Sequence, residues 1–480
     1  MESAAHHLAL DLGAESGRAI VGALDNDRLV LDEMHRFPNV PIRLRDGLHW
    51  DVLRLWDDIQ IGIAASNKKY PLKSLGLDTW GVDFALLDKD NSLLGNPFHY
   101  RDKRTDGMMK NAFQRISREQ IFARTGIQFM QINTLYQLFA MALQNSSLLD
   151  VAKSFVTIPD LFNYWLSGSI TNEFTNATTT QCFNPLTRDW EKSVLETLDI
   201  PTHLFHPVTE PGTLIGKYQN SIPVIAPACH DTGSAVVAVP AVEKDFAWII
   251  SGTWSIMGVE ADAPCLDERA LACNFTNEGG VNGTWRLSKN IMGLWIVQEC
   301  RREWNISYDE ITSLATEARP FIAVIDIDDP SFLHSGDMPE KIRAYCERTN
   351  QSAPQTRGEI IRVALESLAL KYCFVLESLE TLTGRHLSLI HIIGGGTKNK
   401  LLNQITADCV RRTVIAGPVE ATATGNILMQ AIALKELSSL NEARAVVRHS
   451  FAPEIYEPRH DDHWDAAYEK LKILLGEEQP

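Results

Sequence analysis

Two glycine-containing segments, far apart in the chain, carry the residue types that bind phosphate. They read LALDLGAESGRAIVG, residues 8–22, and AWIISGTWSIMGVE, residues 247–260. In each segment an apolar run reaches a turn of Gly, Ser or Thr and a second apolar run follows, which predicts a β-hairpin. Glycine lets the backbone approach an anion, and successive N–H groups at a hairpin tip can bind phosphate oxygens. One such turn is usually only a tight turn, but the pair indicates a nucleotide held from two sides.

A third segment, HIIGGGTKNKLLNQITADCV at residues 391–410, predicts a strand, a glycine-rich turn and a helix. The helix has one apolar face, formed by Leu401, Leu402, Ile405 and Cys409. Units of this kind often place a nucleotide at the start of the helix. The three glycines fit neither the Walker A pattern nor G-x-G-x-x-G, so the sequence predicts a phosphate site of another kind.

Two aspartates are candidates for the other parts of a phosphoryl transfer, which needs a divalent cation and a base. Asp11 ends the first apolar strand, directly before the first hairpin turn, where its carboxylate could hold Mg²⁺ through water. The alternative for Asp11 is a turn-forming residue. Asp231 begins a predicted helix in HDTGSA, where Asp is also a favoured N-cap. Spacing alone leaves the cap and the base open as interpretations of Asp231.

Length and composition restrict the class of protein. At 480 residues the chain is too long for one ordinary core and suggests two sizeable domains. Its 45 basic and 61 acidic residues give a net charge of −16, which argues against a nucleic-acid or anionic-membrane partner. We find no leader pattern, no apolar run of about 20 residues, and no metal or disulfide pattern among the cysteines. These observations favour the cytoplasm.

The hydrophobic pattern predicts two related halves. In the first half we expect a helix over residues 51–68 and strands at 7–12, 17–24, 27–37, 73–79 and 83–88. This order recurs loosely after Phe246, and later helices are expected over residues 290–304, 359–382 and 421–437. The expected domains are residues 1–240 and 241–455, followed by a polar tail at residues 456–480.

Several segments together resemble the FGGY carbohydrate kinases, which belong to the actin, hexokinase and Hsp70 superfamily. The segments are DLGAESGR, HDTGSA, SGTWS and GGGTKN, and the likeness runs from about residue 7 to about residue 440. The resemblance implies an α/β fold of two actin-like, ribonuclease H-like domains around a central cleft that closes on substrate. Within the family, TWGVD, YRDKRT and KNIMGLW are most similar to segments of the L-rhamnulose kinases.

The resemblance also implies roles for individual residues. The ATP contacts of the family fall on Ala14, Glu15, Ser16, Gly17, Arg18, Thr253, Gln298 and Gly395. The sugar contacts fall on Gly81, His230, Asp231, Thr232 and Asn290, with Asp231 as the proton acceptor and Asp11 as the Mg²⁺ residue. Two positions depart from the general family pattern: Glu15 stands in the phosphate hairpin, and Gln137 stands where the family signature has Lys.

The implied reaction is phosphorylation of the 1-hydroxyl of L-rhamnulose by ATP with Mg²⁺, and the implied partners are this small sugar and ATP. Trp80, Phe84, Tyr100 and Tyr136 could line the sugar site or pack in the core. One alternative is a related kinase that acts on L-fuculose, a xylulose or glycerol. The other is a non-catalytic actin-like ATP-binding switch. The oligomeric state cannot be read from the sequence.

Overall fold

The computed structural model of the chain describes residues 4–476. The strands, in chain order, are β1 (Ala5–Leu12), β2 (Ser16–Asp25), β3 (Arg28–Pro38), β4 (Ile42–Arg43), β5 (Leu48–His49), β6 (Leu72–Thr79), β7 (Phe84–Leu87), β8 (Ser154–Thr157), β9 (Phe183–Asn184), β10 (Asp189–Trp190), β11 (Thr213–Tyr218), β12 (Ile222–Ala226), β13 (Phe246–Ser251), β14 (Ser255–Ala261), β15 (Thr276–Gly279), β16 (Trp285–Ile291), β17 (Leu389–Ile393), β18 (Thr413–Ala416) and β19 (Glu454–Tyr456). The helices are α1 (Val52–Lys69), α2 (Met108–Ala112), α3 (Arg118–Thr125), α4 (Thr134–Leu143), α5 (Ser147–Val151), α6 (Ile158–Ser167), α7 (Phe174–Ala177), α8 (Lys192–Thr197), α9 (Asp231–Val237), α10 (Glu268–Ala272), α11 (Trp295–Trp304), α12 (Tyr308–Glu317), α13 (Met338–Arg348), α14 (Arg357–Thr383), α15 (Lys400–Val410), α16 (Ala421–Ala433), α17 (Leu440–Ser450) and α18 (His463–Leu474).

The described residues divide into two compact units, each formed by several stretches of chain. The first unit takes its residues from Met1–Pro240, Glu260–Leu287 and Ala421–Ser450. The second takes them from Ala241–Val259, Ser288–Glu420 and Phe451–Pro480. The domain boundaries expected at residues 240 and 455 stay a prediction. None of the described helices is long and apolar enough to cross a membrane.

The first unit is built on a six-stranded sheet of the order β11-β12-β6-β1-β2-β3. Strands β1, β2 and β3 form an antiparallel meander, whereas β6 runs parallel to β1 and β12 parallel to β6. Six of the eight side chains of β1 are buried, because neighbouring strands flank it on both sides and α16 packs on it. A central strand of this kind is apolar on both faces, as the sequence predicts.

Helix α1 covers part of this sheet with one apolar face. Its buried side chains include Val52, Leu55, Ile59 and Ile63, which recur every three to four residues. The Asp51 side chain accepts a hydrogen bond from Arg54 N–H and so caps the first turn. Lys68 and Lys69 stand in the last turn, where positive charge is favourable. The expected helix over residues 51–68 is thus one residue away from the observed bounds.

Helix α16 belongs to the first unit although it comes late in the chain. Gln430 Nε2 donates to Leu8 O at 3.0 Å, and Asn426 Nδ2 donates to Asp78 Oδ2 at 2.5 Å. These bonds fix the helix on β1 and β6 at a point where the side chains are fully buried. Buried polar groups that find partners in this way specify the packing of one element on another.

The second unit repeats this strand order. Strands β13 and β14 form an antiparallel hairpin, β17 runs parallel to β13, and β18 runs parallel to β17, with β19 at the edge. The order β14-β13-β17-β18 therefore corresponds to β2-β1-β6-β12 of the first unit. The long helix α14 packs against α12, α15 and α18. The expected α/β duplication is confirmed.

Three expected elements were wrong in their extent. The helix expected over residues 290–304 begins only at Trp295, because β16 continues to Ile291. The stretch expected as a polar tail contains α18, whose Trp464 is 3% exposed and contacts the Phe321 ring edge-on at 4.8 Å. Moreover, α16 ends at Ala433, so the helix expected over residues 421–437 is four residues shorter than expected.

Candidate active site

The first hairpin tip lies between β1 and β2 and is held from the side by Asn39. Gly13 N–H donates to Ser16 O at 3.0 Å, and Asn39 Nδ2 donates to Gly13 O at 3.0 Å. Asn39 N–H donates to Glu15 O, also at 3.0 Å. Within residues 4–476, the N–H groups of Ala14 and Glu15 donate to no protein atom, and the Glu15 side chain is exposed. The tip therefore offers open amides of the kind that bind phosphate oxygens.

Gly17 is the second residue of β2 and packs closely on an aromatic ring. A Cβ at this position would lie 2.2 Å from the Phe37 ring, a distance that no side chain tolerates. Only glycine allows β2 to run this close to Phe37 on β3. Ser16, Gly17 and Arg18 thus belong to a well-packed strand start, while Ala14 and Glu15 form the tip.

Asp11 is buried at the end of β1 and faces Arg18 across the hairpin. It is 2% exposed, and its Oδ2 lies 2.9 Å from Arg18 Nη2. Beside Asp11 in the parallel register stands Asp78 of β6. Burial and the Asp11 carboxylate raise the pKa of Asp78 well above its ordinary value. Asp78 Oδ1 has no hydrogen-bond partner among the described residues, so this end of the sheet has a carboxyl oxygen that no protein group uses.

The carboxylates at this position fit a hydrated magnesium ion. Mg²⁺ takes oxygen ligands, keeps several of its waters and is usually bound by one or two carboxylates together with substrate phosphates. No group of three or more His, Cys, Asp or Glu side chains in residues 4–476 could hold a metal by itself. Asp11, with Asp78 beside it, would therefore hold such an ion only together with waters and phosphate oxygens.

In the second unit, the structure brings together the three expected nucleotide residues. Thr253 lies at the tip between β13 and β14, where Trp295 N–H donates to Thr253 O at 3.0 Å. Gln298 lies one turn further along α11, and its Oε1 is buried without a hydrogen-bond partner among the described residues. Gly395 lies in the turn after β17, with no atom within 4 Å of a Cβ placed on it. An orphaned amide oxygen and an open backbone are what a bound nucleotide would use.

The glycine-rich turn after β17 packs on the end of β13. A Cβ on Gly396 would lie 2.0 Å from Ser251 Oγ, so the turn can approach β13 only because residue 396 is glycine. Gly394 has φ +87°, which also favours glycine. The expected strand, glycine turn and helix over residues 391–410 are therefore confirmed as local structure.

Asp231 is the first residue of α9 and its two oxygens have different environments. Oδ1 accepts from Thr232 N–H at 2.5 Å and from Thr232 Oγ1 at 3.2 Å, and it lies 3.4 Å from His230 Nε2. Oδ2 receives no hydrogen bond from residues 4–476, and the side chain is 30% exposed. The N-cap position is His230, so the interpretation of Asp231 as N-cap was wrong. The carboxylate is held by one oxygen and presents the other.

The turn before Asp231 is anchored by a buried glutamate that the sequence analysis did not single out. Glu173 Oε2 accepts from Cys229 N–H at 3.1 Å and from Thr175 Oγ1 at 2.6 Å. Thr175 Oγ1 in turn accepts from His230 N–H at 3.1 Å. Burial raises the pKa of Glu173 to about 8, so this group is largely neutral at neutral pH. The segment TNEFTNATTTQ carries Glu173, but nothing in its letters separates an anchor from an exposed glutamate.

The raised pKa of Glu173 predicts how stability depends on pH. An acid whose pKa is 4.5 when exposed and about 8 when folded binds its proton more tightly in the folded state, so stability falls as pH rises from 4.5 to 8. Glu173→Gln removes this loss of stability, which is at most about 5 kcal/mol. We expect the urea midpoint of the variant to exceed that of the wild type by more at pH 8 than at pH 5.5. Glu196→Gln, on an exposed helix face, is the control. A difference that does not grow with pH would contradict the burial of a neutral Glu173.

Gly81 lies in the turn after β6, packed closely on the threonine-rich segment. A Cβ on Gly81 would lie 3.0 Å from Thr179 Oγ1, and the same oxygen accepts from Val82 N–H at 3.0 Å. Two residues on, Asp83 is 1% exposed and accepts from the indole N–H groups of Trp50 and Trp80 at 2.6 and 3.0 Å. Burial raises the pKa of Asp83 to about 6, and these hydrogen bonds oppose the rise. Asp83 thus fixes the loop that carries Gly81.

Gln137, the departure from the family signature, completes this network. Its Nε2 donates to Asp83 Oδ1 at 2.9 Å, and its Oε1 accepts from Arg104 Nη2 at 2.7 Å. The Arg104 guanidinium lies 4.0 Å above the Phe98 ring. An amide can serve an acid and a guanidinium at once, which a lysine cannot, because lysine has no acceptor. Gln137 and Arg104 of YRDKRT therefore act as a pair.

The aromatic side chains considered for the sugar site are buried. The exposed fractions are 5% for Trp80, 6% for Phe84, 8% for Tyr100 and 0% for Tyr136. The rings of Trp80 and Trp50 lie 4.1 Å apart. Of the two uses left open by the sequence, packing in the core accounts for these residues.

The expected site residues are divided between the two units. Those of the first unit are Asp11, Ala14 to Arg18, Gly81, His230, Asp231 and Thr232. Those of the second unit are Thr253, Gln298, Gly395 and also Asn290, which stands near the end of β16. Glu278 and Arg286 contact His230 in the first unit and were not among the residues expected from the sequence. Glu278 stands in TNEGG, a segment whose polar letters do not reveal that it is buried.

Comparison with known proteins matches both halves of the chain. The FGGY family of carbohydrate kinases, N-terminal domain, matches residues 6–230, and the C-terminal domain of the same family matches residues 247–434. The chain is 42% identical over 475 residues to a rhamnulokinase of Bacteroides thetaiotaomicron, covering 97% of this chain and 98% of that protein. It is 43% identical over 456 residues to a rhamnulokinase of Oceanobacillus iheyensis, covering 93% and 97%.

Solved structures show the same fold at low sequence identity. A ligand-bound xylulose kinase from Lactobacillus acidophilus aligns with a TM-score of 0.80 at 16% identity, covering 98% of this chain and 97% of that chain. A glycerol kinase of Plasmodium falciparum with ADP aligns with a TM-score of 0.79 at 16% identity, covering 99% and 97%. Together with the full-length relatives and the two matched domains, these results mean that the chain belongs to the FGGY family of carbohydrate kinases.

Proposed function

We propose that the chain transfers the γ-phosphoryl group of ATP to the 1-hydroxyl of L-rhamnulose, giving L-rhamnulose 1-phosphate and ADP. The observation that carries the substrate is the identity of 40–43% to relatives named rhamnulokinase, over 93% or more of this chain. A change of sugar specificity within this family would require substitutions at a few residues of the sugar pocket. Relatives this similar over their whole length make such a change less plausible than retention of the substrate.

The base in this reaction is Asp231. Oδ1 is occupied by the N–H and O–H groups of Thr232, so Oδ2 is the oxygen that can accept a proton from the sugar. As the O–H bond of the 1-hydroxyl breaks, its proton goes to Oδ2, a bond forms from the hydroxyl oxygen to the γ-phosphorus, and the bond to the ADP oxygen breaks. A positioned base of this kind is worth about 10²–10⁴ in rate.

The remaining residues bind and orient the reactants. The open N–H groups of Ala14 and Glu15 bind phosphate oxygens, and Thr253, Gln298 and Gly395 bind the nucleotide. His230, Thr232, Gly81 and Asn290 bind the sugar. Asp11 would hold a Mg²⁺ ion, which would supply charge neutralisation on the transferring phosphoryl group. A cytoplasmic location agrees with ATP as the phosphoryl donor.

The substrate assignment predicts a preference among ketoses. We expect kcat/KM to be highest for L-rhamnulose when it is compared with L-fuculose, D-xylulose and glycerol at saturating ATP and Mg²⁺. The measurement is the rate of ADP release, followed with a coupled-enzyme assay. A tenfold preference for one of the other acceptors, about 1.4 kcal/mol of transition-state discrimination, would contradict the substrate but leave the kinase class intact.

The non-catalytic switch is not favoured. A non-catalytic switch needs the two phosphate hairpins, but it does not need an aspartate with one carboxylate oxygen open to a sugar hydroxyl. ATP hydrolysis that is the same with and without every ketose would support the switch instead.

A further inference from the structure

His230 is held by a buried ion pair on the side of its ring that faces away from Asp231. Arg286 is 1% exposed and Glu278 8%, and Arg286 Nη2 lies 3.2 Å from Glu278 Oε2. Both approach His230 Nδ1, Arg286 Nη2 at 3.1 Å and Glu278 Oε2 at 3.3 Å. The other ring nitrogen, Nε2, faces Asp231 Oδ1 at 3.4 Å. The four side chains form a row that ends at the proposed base, and all lie in the first unit.

The chemistry of the guanidinium decides which ring nitrogen carries the proton. Arginine has five N–H donors and no acceptor, so the contact at 3.1 Å makes Nδ1 the acceptor. Arg286 is fixed for this task, because its Nε donates to Gly279 O at 2.8 Å and its Nη2 reaches Thr175 O at 3.4 Å. Burial raises the pKa of Glu278, but the Arg286 charge, together with His230 and Thr276, outweighs burial and the pKa is lowered, so Glu278 stays ionised and keeps Arg286 in place.

We propose that Arg286, held by Glu278, is a positioning residue that fixes His230 as the Nε2–H tautomer, so that the imidazole presents a donor to Asp231 Oδ1. Three donors then hold Oδ1, two from Thr232 and one from His230, and Oδ2 stays directed at the substrate hydroxyl. In the opposite tautomer the Nε2 lone pair would face the Oδ1 lone pairs and repel the carboxylate. The inference rests on the proposed function for its kinetic consequence, but the tautomer itself does not depend on any substrate.

The tautomer is measured on the full chain by ¹⁵N shifts of the histidine ring nitrogens at fixed pH, with the His230 signals assigned by comparison with His230→Gln. In the wild type we expect the proton on Nε2 and none on Nδ1. In Arg286→Met, Glu278 remains as an acceptor, so the proton moves to Nδ1. We expect kcat with L-rhamnulose to fall by about 10–10²-fold, the size of a misplaced reacting group, while KM for ATP changes little.

A second variant distinguishes a loss of kcat that comes from the His230 tautomer from one that comes from lower protein stability. In the double variant Arg286→Met with Glu278→Gln, the amide of residue 278 can donate to Nδ1, and no lone charge is left buried. We expect the proton to return to Nε2 and most of the lost kcat to be recovered. The matched control is Arg444→Met with Glu260→Gln, a partly buried pair with its atoms 2.7 Å apart in the same unit. It should lower the unfolding temperature without changing the His230 signals.

Each result supports or overturns the inference. A wild-type spectrum with the proton on Nδ1, or on both nitrogens, overturns it even when the Arg286 variant does not fold. A double variant with the restored tautomer but no recovery of kcat overturns the positioning role, as does an equal loss of kcat in the Arg444 control. If Asp231→Asn retains turnover, the proposed base fails, whereas the spectra still decide what Arg286 does to His230.

Discussion

Asp231→Asn is expected to lower ketose-dependent phosphorylation by about 10²–10⁴-fold, the usual worth of a positioned base. The amide has nearly the shape of the carboxylate, and its oxygen can still accept from Thr232 N–H, as Oδ1 does at 2.5 Å. It cannot take a proton from the sugar hydroxyl. Asp231 is not the N-cap of α9, so the substitution should have little effect on the helix start. The measurements are ADP release with L-rhamnulose, ATP affinity and melting temperature.

A matched control is available at another helix start of the same unit. Asp267 is the N-cap of α10, where it accepts from Ala270 N–H at 2.9 Å. Asp267→Asn makes the same chemical change at a helix terminus and should leave turnover and ATP affinity close to wild type. A folded Asp231→Asn enzyme that keeps more than about a tenth of the wild-type turnover would remove Asp231 from the role of base.

The fold could be predicted from sequence wherever the pattern is local. Strand β6, Leu72–Thr79, begins one residue before the expected range of 73–79 and ends where expected, because the apolar run there follows a proline and ends at a turn that contains glycine. Helix α14 runs two residues beyond the expected range at its start and one at its end. The start of α11 was wrong because six of the seven β16 side chains are buried, including Arg286, Ser288 and Lys289. A strand buried on both faces lacks alternation, and Ile291, Leu294 and Trp295 also fit a helical spacing.

The site could be predicted only where its residues are close in sequence. The hairpin tips and the turn before α9 are short segments, and their glycines and aspartates can be recognised in the sequence. The Asp78–Asn426 bond joins residues 348 positions apart, and the contact of Arg286 with His230 joins residues 56 apart. Such pairs exist only after the sheet has formed. No periodicity distinguishes a buried arginine from an exposed one, so Glu278 and Arg286 could not be found before the structure.

The proposed metal site and the proposed base lie near each other on the sheet of the first unit. Asp11 and Asp78 stand side by side on β1 and β6, and His230 continues from the end of β6 through a bridge with Thr79. The proposed base and the proposed metal residue therefore lie at the same end of one sheet, where the parallel strands have their carboxyl ends. Open α/β sheets bind ligands at this end.

Asp11→Asn is expected to raise the Mg²⁺ concentration needed for half-maximal rate by at least about tenfold and to lower turnover at saturating Mg²⁺ by about 10²-fold, the size of one lost electrostatic contact at a transferring group. The amide keeps an oxygen toward the hydrated ion but loses a full negative charge, which is most of what attracts a divalent cation. A binding measurement that does not depend on turnover should show the same effect. In Asp11→Asn, the affinity for ADP should depend less on Mg²⁺ than in the wild type, as measured by titration calorimetry.

The control for Asp11 must also remove a buried carboxylate from an arginine. Asp58 is 2% exposed, as is Asp11, and it lies 2.9 Å from Arg54, as Asp11 does from Arg18. Asp58→Asn should therefore also lower the unfolding temperature, because each change takes the charge of a buried carboxylate away from an arginine that is itself at least partly exposed. Only Asp11→Asn should alter the Mg²⁺ requirement. If both variants show the wild-type dependence on Mg²⁺ for rate and for ADP affinity, the Asp11 carboxylate serves the hairpin through Arg18 and has no part in holding the ion.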